Sequence, residues 1–232
     1  APIEPRGAAA EFDPASGRFT LHAPTQGSKS IQEGIASTGI VADPLALRVL
    51  TPDVGGSFGM KIPAYPEYVA VLYAARQLAR PVAWYADRAE AFLCDGAGRD
   101  HVMAGELALD ADGRFLAVRA RVVSNTGAYS SASANTIPTT GGSRCITGLY
   151  DLPCFHLQTR VAFTNTVPVV PYRGAGKPEF TYFIECLVDA AARETGRDRV
   201  ELRRRNLIRS VPYTTAAGLA FDSGEFEKNL DD

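Results

Sequence analysis

Two glycine-rich segments carry the residue types best suited to chemistry in this chain. Residues 51–61 read Thr-Pro-Asp-Val-Gly-Gly-Ser-Phe-Gly-Met-Lys, and residues 171–179 read Pro-Tyr-Arg-Gly-Ala-Gly-Lys-Pro-Glu. We call them the first and the second glycine turn. Because glycine has no side chain to block a ligand, such turns bring backbone N–H groups close to a phosphate or another anionic group. Two of them in one chain indicate a large anionic cofactor that is held from two sides.

The second turn is the more specific of the two, because it places a cation beside its glycines. Arg173 directly precedes Gly174 and Gly176, and arginine recognises phosphate through paired hydrogen bonds. The alternative is a local ion pair, for instance with Glu179. The first turn taken alone is equally consistent with an architectural connection. It has neither the dinucleotide G-x-G-x-x-G pattern nor the P-loop pattern, despite Lys61.

Gln26, in the segment Pro-Thr-Gln-Gly, is a third candidate. Its side-chain amide can offer a hydrogen-bond donor and an acceptor to a heterocycle or an oxo group. Taken in isolation, a solvated glutamine in a turn explains this residue more simply. The interpretation of Gln26 therefore depends on what lies around it.

Local patterns predict the elements that position these residues. Short strands are predicted at 18–23, 45–50 and 155–163, and a hairpin at 101–110 and 114–129 across Asp110–Gly113. Helical periodicity predicts helices at 28–38, 66–79, 178–195 and 198–207. Each glycine turn then lies between a strand and a helix. The mixture predicts an α+β fold, with helices layered on mixed or antiparallel sheets.

End signals refine three of these helices. Ser28 or Ser30 is expected to cap the helix at 28–38, and Gly196 is expected to end the helix at 178–195. Asp198 is expected to cap the last helix. The segment 210–232 has weak periodicity and is expected to be a weakly structured tail.

Bulk properties exclude several classes of function. The net charge of −2 gives no basic surplus for nucleic acid, and no apolar run approaches the ~20 residues that span a bilayer. Four cysteines without Cys-x-x-Cys spacing indicate reduced, mostly structural thiols in the cytoplasm. The three histidines do not cluster, so we expect no metal ion bound directly by the protein.

The glycine turns and Gln26, in this order and spacing, resemble the molybdenum-binding large subunit of the xanthine dehydrogenase, aldehyde oxidase and carbon monoxide dehydrogenase family. The resemblance runs over nearly the whole chain. It includes Glu4-Pro5-Arg6, Thr25-Gln26, Asp53-Val-Gly-Gly-Ser-Phe-Gly59, Trp84 with Asp87-Arg88, Asn125-Thr-Gly-Ala128, Tyr150-Asp-Leu-Pro153, Thr164-Asn165, Tyr172-Arg-Gly-Ala-Gly176, and Leu202-Arg203 to Asn206. Many ordered matches of this kind make the resemblance specific.

The resemblance implies a molybdopterin cofactor, in bacterial relatives usually the cytosine dinucleotide form. Gln26 would approach an apical molybdenum oxygen, and Phe58 and Gly59 would contact the metal end through their backbone. Arg173 would lie near the molybdenum–pterin group. The glycines of the two motifs, Gly56 and Gly174, would also belong to the cofactor-binding set. The reaction would be hydroxylation with oxygen from water, and electrons would leave through iron–sulfur and FAD centres on partner subunits.

Departures from the family pattern bear on the substrate. Purine-oxidising members carry a Glu where this chain has Ile62, and an aromatic residue where it has Ala175. Copper-bearing carbon monoxide dehydrogenases carry a Cys where it has Gly174. The resemblance therefore disfavours a purine substrate and a copper ion. The near wall of the substrate pocket, with Ile62 and Ala175, is then expected to be small and apolar. The expected substrate is an aldehyde or a small heterocycle.

The family's catalytic base is a Glu on a glycine-rich segment far downstream of these motifs. Glu225 follows a glycine but comes too early, so we expect no catalytic residue in this chain. The interpretation is a partial molybdenum-cofactor-binding region over 1–209, as two α+β lobes at about 1–95 and 96–209, within a larger subunit and inactive alone. Two alternatives stay open, a non-catalytic molybdopterin carrier or assembly module and a structural fragment that binds nothing.

Overall fold

A computed structural model describes residues 2–131 and 133–232, which form two compact units. Unit 1 comprises Ala1–Ala97 and Val170–Arg173, and unit 2 comprises Gly98–Val169 and Gly174–Asp232. The second glycine turn therefore divides, with Arg173 at the end of a unit 1 segment and Gly174 at the start of a unit 2 segment.

Unit 1 is a four-stranded mixed sheet covered by helices. Its strands are β1 Gly7–Asp13, β2 Arg18–His22, β3 Leu47–Leu50 and β4 Val82–Tyr85, and its helices are α1 Ser28–Ala36, α2 Pro66–Leu78 and α3 Arg88–Cys94. The spatial order is β3-β2-β1-β4. Strand β1 is antiparallel to β2 and β4, whereas β2 runs parallel to β3. The parallel step is possible because α1 lies between β2 and β3 in the chain.

The core of unit 1 lies between this sheet and its helices. Leu21 and Leu47 from the sheet pack with Ile31 and Ile35 of α1 and Leu72 of α2. The predicted cap of α1 was wrong. The N-cap is Gly27, since Ser28 is already the first helical residue. The Ser30 hydroxyl donates to the carbonyl of Gly27, and no described side chain caps the helix.

Unit 2 is a three-stranded sheet with one long helix. Its strands are β5 His101–Leu109, β6 Phe115–Gly127 and β7 Phe155–Phe163, followed by α4 Lys177–Thr195, α5 Arg199–Asn206, the short strands β8 Tyr213–Thr214 and β9 Ala220–Phe221, and α6 Phe226–Asp231. The order is β5-β6-β7, with β5 antiparallel and β7 parallel to β6. A π-helical turn at Ile137–Gly141 and a 3-10 turn at Ser143–Cys145 lie in the segment between β6 and β7.

Local signals place the ends of the unit 2 helices where the sequence predicts them. Gly196, in the left-handed region at φ 64°, ends α4, and the Asp198 carboxylate accepts from the N–H groups of Val200 and Glu201 at the start of α5. The core packs Phe180, Ile184 and Val188 of α4 against the sheet. Residues 210–232 hold only the short elements β8, β9 and α6.

Several of the matched motif residues in unit 2 act within the fold. Buried Asn206 accepts from the N–H of Phe115 and donates to the carbonyls of Gly113 and Leu202. Arg203 bridges Glu185 and Asp189 on α4. These bonds fasten α5 to the hairpin and to α4, so this motif serves the fold of unit 2.

The elements follow the same order along the chain in both units. A hairpin comes first, then a strand that is parallel to the second strand of the hairpin, then a glycine turn and a helix. In unit 1 the order is β1, β2, β3, first glycine turn and α2. In unit 2 it is β5, β6, β7, second glycine turn and α4. The predicted α+β class, with helices on mixed sheets, is confirmed. No helix among the described residues has the length and apolar character needed to cross a membrane.

Candidate cofactor-binding site

The first glycine turn has a backbone that few residue types tolerate. Gly56 and Gly59 both have φ of 99°, and Phe58 has φ of 55°, which is in the left-handed region. A Cβ on Gly59 would lie 2.5 Å from the carbonyl oxygen of Pro171. Only glycine therefore fits at position 59, and the turn leaves the Phe58 side chain about half exposed.

This conformation leaves three successive amides open. Gly55 N donates to Glu4 and Gly59 N donates to Gln26. Between them, the N–H groups of Gly56, Ser57 and Phe58 donate to no atom of residues 2–131 and 133–232. A row of unpaired backbone donors at a glycine-rich turn is suited to an anionic ligand.

Gln26 is fastened to the same turn. Its Oε1 accepts from Ser57 Oγ at 2.5 Å and from Gly59 N at 2.9 Å, and its own N–H donates to the carbonyl of Lys61 at 3.1 Å. In the described part of the chain, no hydrogen bond uses Gln26 Nε2, and the residue is exposed. The acceptor half of the amide is thus used inside the protein. The donor half is what Gln26 can offer to a ligand.

The backbone of Arg173 joins the same group in unit 1. Its N–H donates to the carbonyl of Phe58 at 2.9 Å, and its side chain is exposed. In unit 2, Glu179, the local partner considered for Arg173, lies 3.8 Å from Arg99 Nε and 3.6 Å from His101 Nε2. Burial disfavours the charged form of Glu179, but His101 and Arg99 outweigh it and lower the pKa of this carboxyl.

The glycines of the second turn form a second set of open amides, in unit 2. Gly174, Ala175 and Gly176 have φ of 96°, 45° and 95°. Their three N–H groups donate to no described residue, and Gly176 is the N-cap of α4. A helix N-terminus carries a partial positive charge, so this set also favours an anion.

The two predicted pocket residues differ in their surroundings. Ile62 follows the first glycine turn and is half-buried. Ala175 packs against a small apolar cluster of Ala134, Ile137 and Val169. Within the described residues, no group of three or more His, Cys, Asp or Glu side chains is arranged to hold a metal ion.

A buried network behind the first turn was not foreseen from the sequence. Arg6 is fully buried, donates to Asp95 at 2.7 Å and to both oxygens of Glu67 at 2.9 Å, and lies 3.8 Å over the Tyr65 ring. Lys61 is also fully buried, with Nζ 2.6 Å from Glu4 Oε2. Charged residues in the matched motifs were the available signal, but their partners are distant in sequence.

The open groups of each unit, taken separately, suit an anionic ligand. Unit 1 supplies a row of three amides, an amide donor from Gln26 and the adjacent Arg173. Unit 2 supplies three more amides at the start of α4. Within each unit these groups donate hydrogen bonds or carry positive charge, as the recognition of an anion requires.

Comparison with known proteins agrees with this geometry. Residues 1–207 match the family model described as Molybdopterin cofactor-binding domain. The chain is 35% identical over 233 residues to the carbon monoxide dehydrogenase large chain of Hydrogenophaga pseudoflava, covering 99% of this chain and 29% of that protein. It is 33% identical over 240 residues to the 6-hydroxypseudooxynicotine dehydrogenase complex subunit gamma of Paenarthrobacter nicotinovorans, covering 100% and 30%.

A solved structure gives the same result. The fold matches quinoline 2-oxidoreductase from Pseudomonas putida 86 with a TM-score of 0.92 and 32% sequence identity, covering 100% of this chain and 30% of that one. The chain thus spans less than a third of the length of the relatives it matches.

Proposed function

The chain belongs to the molybdopterin cofactor-binding domain family, and from that premise we propose that its two glycine turns help to hold the cofactor of a molybdenum hydroxylase. The observation that carries the proposal is the row of open amides at Gly56, Ser57 and Phe58, with Gln26 Nε2 beside it. In unit 1, Arg173 adds a cation next to Phe58. Gly59 lets the backbone of the turn pass close to Pro171.

Each residue has a defined part in this proposal. Gln26 would donate to the cofactor through Nε2, because its Oε1 is already engaged by Ser57 and Gly59. The amides of Gly56 and Phe58 and the Arg173 guanidinium bind the anionic part of the cofactor. Gly174, with its open amide in unit 2, contributes a further donor. The chain therefore binds and orients, and the bound cofactor supplies the chemistry.

That chemistry is oxidation of a carbon centre with an oxygen atom derived from water. The cofactor is proposed to be the cytosine dinucleotide form, with electrons passing to iron–sulfur and FAD centres on partner subunits. The substrate is an aldehyde or a modest nitrogen heterocycle, as the names of the quinoline and pseudooxynicotine relatives suggest. Ile62, Gly174 and Ala175 supply neither a carboxylate for a purine nor a thiolate for copper. The base comes from another part of the subunit, so the isolated chain is inactive.

The proposal is tested by cofactor content. Molybdenum and released cytidine nucleotide are measured per mole of the full-length protein and of the isolated 232-residue chain, from a host that makes the dinucleotide. We expect about one of each in the full-length protein and a sharp loss in the Arg173→Ala variant. Arg80→Ala, at an exposed arginine after α2, is the matched control and should retain both.

The outcomes separate the alternatives. Full occupancy of molybdenum and full activity in Arg173→Ala would remove this residue from the site. Near-stoichiometric cofactor on the isolated chain would favour a carrier or assembly module. Absence of molybdenum and nucleotide from both forms of the wild-type protein would overturn the proposed function.

A further inference from the structure

Lys61 ends the first glycine turn but cannot reach a ligand. Its side chain is fully buried, and its Nζ lies 2.6 Å from Glu4 Oε2. A buried ammonium group is costly unless it is paired and hydrogen-bonded, and the direct contact with Glu4 supplies that partner. This geometry distinguishes Lys61 from the phosphate-binding lysine of a P-loop, which must point at its ligand.

Glu4 closes the turn at its other end. The same oxygen, Oε2, accepts from the N–H of Gly55 at 2.8 Å, and the N–H of Glu4 donates to the carbonyl of Gly55 at 3.3 Å. A Cβ on Gly55 would lie 2.6 Å from the Glu4 Cβ, so glycine is needed for this close approach. One carboxylate oxygen of Glu4 therefore joins Gly55, the first glycine of the turn, to Lys61, the last residue of the turn.

The residues between those two ends carry the open amides. Gly56, Ser57 and Phe58 lie inside the loop that Glu4 closes, and Phe58 keeps a left-handed φ of 55° that non-glycine residues avoid. The Ser57 hydroxyl donates to Gln26 and accepts from the Lys61 N–H at 3.1 Å. A loop that has unpaired donors and an unfavourable φ needs an external support to keep one shape.

We propose that the Glu4–Lys61 ion pair is a positioning clamp, which holds the open amides of the first glycine turn in the spacing that retains the cofactor. The inference rests on the proposed function but concerns two residues that do not touch the ligand themselves. The Lys61 side chain is fully buried, and Glu4 acts on the turn through its bonds to Gly55 and Lys61. Loss of the clamp should loosen the turn first and lower cofactor retention as a consequence.

The test uses Glu4→Gln and Lys61→Met in the full-length protein. Glu4→Gln keeps the size of the side chain and an acceptor for Gly55, and removes the charge that pairs with Lys61. Lys61→Met keeps the length of the buried side chain without its charge. The matched control is Lys29→Met, which breaks the exposed Lys29–Glu33 pair on α1.

Two measurements are made on each variant. Hydrogen–deuterium exchange of the peptide covering 55–61, in protein stripped of cofactor, reports the turn itself. Molybdenum per mole, after expression under loading conditions, reports retention. We expect at least a tenfold rise in exchange and a severalfold fall in molybdenum for Glu4→Gln, with Lys29→Met unchanged in both.

The two readouts keep this inference separable from the proposed function. Unchanged exchange at 55–61 in folded Glu4→Gln and Lys61→Met protein would overturn the clamp. So would wild-type molybdenum content in Glu4→Gln with a loosened turn, because spacing would then not govern retention. If Lys61→Met does not fold, Glu4→Gln alone decides. Faster exchange in a protein whose wild type holds no molybdenum would support the clamp on the turn and overturn its role for the cofactor.

Discussion

The two glycine turns follow the same sequence of elements but are held in different ways. The first turn has one tight glycine contact, at Gly59, and is also supported by side chains. The Glu4 carboxylate accepts from Gly55 N and Lys61 Nζ, and Gln26 Oε1 accepts from Gly59 N. The second turn is supported by close contact of backbone with backbone. A Cβ on Gly176 would lie 2.4 Å from the carbonyl oxygen of Ile137, and one on Gly142 would lie 2.6 Å from the carbonyl carbon of Gly176.

This difference shows that one local architecture can present open amides by two physical means. Charged and polar supports depend on ionisation and are lost when one partner is removed. Glycine contacts do not depend on pH but fail when a single methyl group is added. We therefore expect the first turn to be sensitive to the loss of a charged or polar partner, and the second turn to be sensitive to a methyl group added at a glycine. The opposite pattern of sensitivity would contradict the comparison.

The largest effect is expected at Arg6, in the network behind the first turn. Arg6→Met leaves Asp95 and Glu67 without the guanidinium that ties the start of α2 to the end of α3. Removing one member of a buried ion pair typically costs about 3–5 kcal/mol. We expect a loss of that size in the free energy of unfolding, measured by urea denaturation.

The control for Arg6 is Arg119→Met, which breaks the exposed pair with Glu106 in unit 2. Exposed pairs contribute about 1 kcal/mol or less, so this variant should unfold close to the wild type. If Arg6→Met lost equally little free energy of unfolding, the buried bonds of Arg6 to Asp95 and Glu67 would not be what stabilises unit 1.

The second effect is expected at Gly176, in the second turn. Gly176→Ala must place a methyl group against the carbonyl of Ile137 at a φ of 95°. Backbone strain of about 1 kcal/mol adds to an overpacking cost of about 1–3 kcal/mol. We expect a loss of about 2–4 kcal/mol in urea denaturation, accompanied by altered exchange of the peptide at 174–180.

Gly196→Ala is the matched control, because Gly196 also has a positive φ but would have no atom within 4 Å of its new Cβ. Its cost should be limited to conformational strain of about 1 kcal/mol. Equal losses in the two variants would show that contact with the backbone of Ile137 is not what supports the second turn.

The parts of the fold that could be predicted from the sequence are those set by neighbouring residues. The hairpin across Asp110–Gly113, the end of α4 at Gly196 and the cap of α5 at Asp198 depend on local turn and cap chemistry. The predicted cap of α1 was wrong because Ser28 and Ser30 both offered a local capping signal, and the structure uses neither.

The supports of the site could not be predicted, because they join distant residues. Lys61 is 57 positions from Glu4, and Arg6 is 61 positions from Glu67 and 89 from Asp95. No periodicity relates such pairs, and a charged residue read from sequence is expected at the surface. Gln26 shows the same limit, since its bonds to Ser57 and Gly59 decide which half of the amide faces a ligand.

The smallest effect concerns pH and distinguishes the two turns most directly. Burial opposes ionisation of Glu4, but the hydrogen bonds from Lys61 and Gly55 and the Lys61 charge outweigh it, so the pKa of Glu4 lies below its ordinary value of 4.5. A carboxyl whose folded pKa is lowered stabilises the fold above the unfolded pKa, and this contribution disappears as the pH falls through the folded pKa. Acidification below about 4.5 should therefore loosen the first turn.

The measurement is the protection factor of the 55–61 peptide between pH 6 and pH 3.5, after correction for the intrinsic pH dependence of amide exchange. We expect protection to fall below about pH 4.5 in the wild type and to stay low and flat in Glu4→Gln, because the variant has no carboxyl to titrate at position 4. The pKa of Glu179 is also lowered, but its ion-pair contacts are with Arg99 and His101. Protection of the 174–180 peptide, in which Lys177 N and Phe180 N donate to the carbonyls of Gly174 and Gly176, should accordingly change less than that of the 55–61 peptide, since glycine contacts hold the second turn. Parallel loss of protection in both turns would mean that acid acts on the whole fold and not on the clamp.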